Sequence, residues 1–215
     1  MSNLEAIAVL HDPVRRRLYD FVVAQGHEVS RNEAAEGAGI QRTLAAFHLD
    51  KLVAAGLLET ESRRLTGRTG PGAGRPAKLY RRSGAEHEFS VPARDYRTAA
   101  DLLAEVADEA RLDARLQAAA RREGRAVAGS TQDLAGVQTV LAARGYEPRL
   151  DADGVLRLAN CPFHVLSQRH PGLVCGMNLA LLQGLVEDTA GVQARMDPQP
   201  GQCCVVVEKS KDNAD

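Results

Sequence analysis

The chain contains no run approaching the roughly 18 consecutive apolar residues of a membrane span. Its first residues also lack a basic segment followed by an apolar stretch and a cleavage site, so a cytoplasmic protein without a membrane partner is expected. Gly-x-Ser-x-Gly elbows, P-loops, dinucleotide fingerprints after a strand and carboxylate pairs in a recognisable motif are missing too. An enzyme is therefore not expected, and the best thiol-dependent arrangement would be Cys161 with His164. There is no internal repeat of roughly 20 to 50 residues, which removes repeat arrays. Net charge is small as well, at −1, so bulk charge gives no indication of a nucleic-acid partner.

What is present is unevenly distributed. Residues 1–94 carry 14 Lys and Arg against 11 Asp and Glu, and the remainder 13 against 17, so the basic excess lies in the first half. A length of 215 residues with 44% hydrophobic content suits two modest domains.

The N-terminal half has clear helix punctuation. Asp12 before Pro13 supplies an N-cap followed by Pro at the first helical position, and Leu18, Phe21 and Val22 follow at helical spacing up to Gly26. Ser30 and Glu33 form a capping box for a short helix over Arg31–Ala38, and Gly39 supplies a turn at which positive φ costs little. A third helix is expected from Gln41 to Ala55. It buries Ala45, Leu49, Leu52 and Val53, and leaves Gln41, Arg42, Thr43, Ala46, Phe47 and Asp50 on or near the other face. Phe47 is expected to pack inward against the downstream hairpin, with contact to a thymine methyl as the alternative; His48 is expected to be structural and partly buried.

After Gly56, Leu57–Leu65 and Ala77–Arg82 read as two strands joined by the Gly/Pro-rich stretch Thr66–Pro76. Between Arg63 and Arg82 there are seven basic and no acidic side chains: Arg63, Arg64, Arg68, Arg75, Lys78, Arg81 and Arg82. Such a hairpin beside a helix-turn-helix suits a salt-sensitive grip on the phosphate backbone of double-stranded DNA. The bland alternative is a solvated hairpin. The segment Thr43–Glu59 resembles the recognition helix and first wing strand of ArsR-like transcriptional regulators, although Ala46 and Phe47 stand where many such helices carry polar or basic groups. The phrase Gly74–Tyr80 is similar to the wing of the SufR-type branch of that family.

Beyond Val91–Pro92 the composition becomes rich in Ala, Glu and Arg. A single long helix is expected from Arg94 to about Arg122, with Ala99, Leu102, Leu103, Val106 and Ala110 at helical spacing and Gly124 ending it. Its expected role is to form a homodimer that reads a palindromic operator, with packing on its own C-terminal domain as the alternative. The rest reads as a small α+β domain. Its expected parts are a helix over Gln132–Arg144, a hairpin of Tyr146–Leu150 and Val155–Leu158, a Leu-rich helix over Cys175–Val186, and strands Val192–Met196 and Cys203–Val207. The expected organisation is thus α+β: a winged helix-turn-helix (1–92), a linking and dimerisation helix (93–124), a Cys-containing sensor domain (125–209) and a disordered tail (210–215).

Cys161, Cys175, Cys203 and Cys204 are the concentrated chemistry of this second half, all placed at expected element ends. Strand alternation would turn Cys203 and Cys204 to opposite faces, so only one of them is expected to join Cys161 and Cys175. Soft thiolates suit iron-sulfur clusters and zinc. The constellation resembles the sensor domain of SufR-type regulators, and that resemblance implies an iron-sulfur cluster on Cys161, Cys175 and Cys203 whose loss weakens repression. The fourth ligand stays open among His164, Cys204, a solvent species and a small thiol. Zinc on Cys161, His164, Cys175 and one of the pair is an alternative, as are metal-free thiols. A further alternative is a winged helix that binds protein instead of DNA. His170 is expected on a surface loop.

Overall fold

The computed structural model describes residues 3–63, 76–129, 131 and 133–210, and divides into two compact units, 1–94 and 95–215. Both units combine helices with an antiparallel sheet, an α+β architecture.

The first unit runs α1 (Asn3–Val9), α2 (Pro13–Gln25), β1 (Val29–Ser30), α3 (Arg31–Gly37), α4 (Arg42–Ala54), β2 (Leu58–Arg63) and β3 (Ala77–Arg82). Asp12 caps α2 by accepting from the N–H groups of Val14 and Arg15. The Ser30/Glu33 capping box forms with both reciprocal hydrogen bonds, and fixes where α3 begins. α3 ends where Ile40 N–H reaches Ala35 O (3.0 Å) and Gly39 N–H reaches Glu36 O (3.1 Å), with Gly39 at φ +65°. Two elements were not expected from the sequence, α1 and the two-residue β1. β1 pairs with β3 (Val29 opposite Tyr80), so the sheet order is β1-β3-β2. Leu18, Val22, Ala45, Leu49, Leu52, Leu58 and Tyr80 are completely or almost completely buried in the core of this unit.

The second unit runs α5 (Tyr96–Glu109), α6 (Asp113–Ala128), α7 (Leu134–Ala143), β4 (Pro148–Leu150), β5 (Leu156–Leu158), α8 (His164–Arg169), α9 (Pro171–Val186), β6 (Val192–Met196) and β7 (Val205–Lys209), with sheet order β4-β5-β7-β6. The expected single helix over Arg94–Arg122 is two helices. α5 stops with Leu112 N–H on Ala107 O (2.9 Å) and Arg111 N–H on Asp108 O (3.0 Å), while Arg111 takes φ +53°. This is the hydrogen-bond pattern that ends α3 at Gly39, but an arginine stands where glycine is usual, so the sequence does not announce the break.

Gly124 does not end a helix either. It lies buried in the fourth turn of α6, against α9. A Cβ at Gly124 would collide with the carbonyl oxygen of Leu181, and one at Gly184 with that of Arg121, so the two helices touch backbone to backbone. Arg121 and Arg125 of α6 both reach Glu187 just past α9, at 3.3 and 2.5 Å. α8, a helix to which the sequence reading assigned no element, precedes α9, which starts four residues earlier than expected, with Pro171 in its first turn. His170 is half-buried between α8 and α9 rather than on a surface loop; its Nε2 and Nδ1 lie 3.5 and 3.6 Å from Asp101 and Asp108 of α5. No helix among the described residues is long and apolar enough to cross a membrane. Residues 211–215 of the expected tail lie outside the described residues.

Substituting Gly184→Ala is expected to destabilise the protein despite the better helix propensity of alanine. Overpacking costs about 1–3 kcal/mol against a propensity gain of about 1 kcal/mol. Gly172→Ala, on the same helix with open space around the added methyl, is expected to be neutral or stabilising. Urea midpoints of the two variants check this, and equal midpoints would show that α6 and α9 separate freely.

Candidate functional site

Two regions carry the sequence-derived candidates. The first is α4 with the wing. Ala45, His48, Leu49 and Leu52 point inward and fix the helix on α2 and α3. Gln41, Arg42, Thr43 and Asp50 are exposed and Ala46 is half-buried. Gln41 makes no side-chain cap, so its side chain does not engage the first-turn N–H groups of α4. Phe47 corrects the expectation of inward packing: it is 56% exposed, because the helical repeat gives the inward position to its neighbour His48. The Phe47 ring stands edge-on to the His48 ring (centroids 5.2 Å apart, 73°), and Lys51 Nζ lies 5.8 Å from its centroid. Leu44, one turn earlier, is 42% exposed.

Several wing cations are already partnered within the domain. Arg63 pairs with Glu28 at 2.6 Å, and Arg81 with Glu59, its cross-strand neighbour, at 2.8 Å. Lys78 Nζ donates to Asp50 Oδ1 of α4 at 2.6 Å and lies 5.3 Å from the Tyr80 ring centroid. The Asp50 hydrogen bond raises the Lys78 pKa. A phosphate at Arg63, Lys78 or Arg81 therefore competes with a carboxylate, an exchange that is weak in either direction for solvent-exposed pairs. Arg64, Arg68 and Arg75 lie outside the described residues.

The second region is the cysteine cluster. Cys161 precedes α8, Cys175 sits in the second turn of α9 rather than at its start, and Cys203 and Cys204 lie in the segment that leads into β7. Because that segment is not yet strand, alternation does not govern it. Contrary to expectation, both Cys203 and Cys204 join Cys161 and Cys175 around one cavity of about 30 Å³, with His164 at its edge. Cys175 Sγ and Cys204 Sγ are 3.6 Å apart. A hydrogen bond from Cys203 lowers the Cys161 pKa and raises that of Cys203. Burial, with the hydrogen bond to Cys204, pushes the Cys175 thiol up to about 11. Gln168 Nε2 lies 3.0 Å from His164 Nε2.

Asn178, which sequence reasoning missed, holds the pocket wall. Its Nδ2 donates to Cys203 Sγ at 3.2 Å, and its Oδ1 accepts from Tyr146 OH at 2.6 Å, all buried. The signal was an amide within the Leu-rich stretch 173–186, where a buried polar side chain needs partners. Among the described residues, no three His, Cys, Asp or Glu side chains are placed to hold one metal ion together. Four thiols and an imidazole nevertheless line the same cavity, with Cys175 and Cys204 in contact, and thiols and imidazoles are soft donors.

Residues 9–61 match the family model described as a helix-turn-helix domain, which spans α2 to α4 and the start of β2. The match supports a DNA-binding transcription regulator. No curated protein and no solved structure matches the chain.

The paired arrangement generates an expected oxidation pattern for metal-free protein. Hydrogen peroxide takes two electrons and two protons from each thiol pair and is reduced to water; the expected products are Cys161–Cys203 and Cys175–Cys204. Tandem mass spectrometry of the linked peptides checks this, and a dominant vicinal Cys203–Cys204 bond would contradict the pairing.

Proposed function

We propose that the chain is a homodimeric transcriptional repressor whose affinity for a palindromic operator responds to an iron-sulfur cluster on Cys161, Cys175 and Cys203. The observation that carries this reading is the convergence of all four cysteines on one cavity in a chain whose residues 9–61 match a helix-turn-helix domain. Cys204 and His164, both on the same cavity, are the candidates for the fourth ligand. When bound, a cluster supplies a redox-sensitive tie between the three ligand-bearing segments. The protein's own part is mechanical: Cys161 fixes the start of α8, Cys175 fixes α9, and Cys203 fixes the entry to β7. Such a tie shifts operator affinity only if it stabilises the DNA-competent state more than the alternative.

The dimer reading rests on α5. Ala99, Leu102, Leu103, Val106 and Ala110, the apolar series read from the sequence, are all exposed, and no residue of the helix is buried. A second copy of the same helix would cover that stripe, and a two-fold dimer reads operator half-sites about 34–36 Å apart. Zinc is the second reading, favoured by a cavity of about 30 Å³, which suits a single ion better than a multi-iron cluster. It would use Cys161, His164, Cys175 and one of Cys203 and Cys204.

Protein purified without oxygen is expected to show a broad visible absorption band with iron and sulfide in the sample; a colourless, zinc-bearing sample selects the second reading. Chelated and loaded protein should differ in operator affinity by about 5–150-fold, the usual range of allosteric coupling, and equal affinities would end the switch. Arg42→Ala, on the exposed first turn of α4, is expected to weaken binding to all duplexes. It should also flatten the plot of log affinity against log salt by about 0.9, the value for one phosphate contact.

A further inference from the structure

The exposed face of α4 bears an apolar patch that the core of its domain does not use. Leu44 and Phe47 are 42% and 56% exposed and three residues apart, so they are neighbours on one face of the helix. Thr43 lies one turn before Phe47 and adds a methyl beside it. The Phe47 ring is held in place by the edge contact to His48 and by the Lys51 ammonium over its face. The patch is bordered by the cations Arg42 and Lys51, both exposed. Its carboxylate neighbour, Asp50, is occupied by Lys78 at 2.6 Å and presents less free negative charge to a polyanion.

An apolar centre with a cationic border suits one kind of surface closely. The floor of the DNA major groove is polar except for the C5 methyl of thymine, and its walls are phosphates. Leu44 and Phe47 can exclude water from such methyls while Arg42 and Lys51 face the backbone. Few hydrogen-bonding side chains remain on this face to read bases, namely Gln41 and Thr43 at its first turn. We propose that α4 reads thymine methyl groups through Phe47 and Leu44, so that the preferred duplex carries thymines at the steps under the middle of this helix. The proposal rests on the reading of residues 9–61 as a DNA-binding domain.

The test begins with full-length protein and a pool of duplexes randomised in sequence, from which bound sequences are recovered. Each thymine of the preferred duplex is then replaced by deoxyuridine, which removes the methyl and keeps the hydrogen-bonding edge. Affinity is expected to fall about fourfold at each contacted position, the value for one methyl returned to water, and not elsewhere. Phe47→Ala is expected to bind the thymine and deoxyuridine duplexes alike at the affected position. Because the ring is more than half exposed, its urea midpoint should match that of the parent protein. Undiminished affinity for every deoxyuridine duplex would overturn the proposal while leaving DNA binding intact. A Phe47→Ala protein that still distinguishes thymine from deoxyuridine would overturn it too, and would return the patch to contact with another protein. Failure to bind any duplex, even at low salt, would overturn the DNA-binding reading itself and this proposal with it.

Discussion

Backbone contact between α6 and α9, at Gly124 and Gly184, is the constraint on which the second unit depends. Helices separated by side chains cross at about 8–10 Å, and a glycine on each side lets them come closer. That approach buries α9 on nearly all sides: Leu173, Val174, Ala180, Leu181, Leu182, Leu185 and Val186 are all buried, as is Asn178. A helix so enclosed is a rigid platform. Cys175 and Asn178 project from it to Cys204 and Cys203, and the Tyr146 hydroxyl fixes the Asn178 amide from the far side. The pocket thus inherits its geometry from a helix crossing, not from the loops that carry three of its four cysteines.

The first unit solves a different problem. Its core holds α4 by one face, using His48 as well as apolar residues, and leaves the opposite face to solvent. Internal ion pairs consume much of the charge that the wing sequence advertises: Arg63 with Glu28, Lys78 with Asp50 and Arg81 with Glu59. Each such pair is worth little to stability, and of the three only Lys78–Asp50 ties the wing to α4. Address and grip are then separable. Under the proposed reading, apolar groups and a few polar ones on α4 would meet bases, and cations around them would meet phosphates.

Under the proposed reading, a sensor coupled to the helix-turn-helix would need differential stability of its two states and nothing more. The four thiols line a cavity of about 30 Å³ between the start of α8, α9 and the entry to β7, so under the proposed reading a bound centre would act on those three segments. α5 is joined to this region through Arg169 and His170, which meet Asp101 and Asp108. A change at the cysteines therefore has a short physical path to the exposed apolar stripe of α5.

Much of this was legible in the chain. Asp12, Ser30 and Glu33 cap helices through hydrogen bonds of a few residues' span, and the Asp151–Gly154 turn sets its hairpin in the same local way. Such signals are read from sequence because their energies are local. Arg111 hid the helix break because a left-handed arginine carries no compositional mark, and Gly124 misled because a glycine that ends a helix and one that lets two helices touch look alike. Phe47 was misjudged because one residue of helical phase separates it from the buried His48. The sequence by itself determined the helix-turn-helix, its capping and the presence of four thiols. Only the tertiary structure decided that all four thiols share one cavity, that the long helix is two, and which side of α4 meets solvent. These depend on contacts between residues far apart in the chain, which no local pattern encodes.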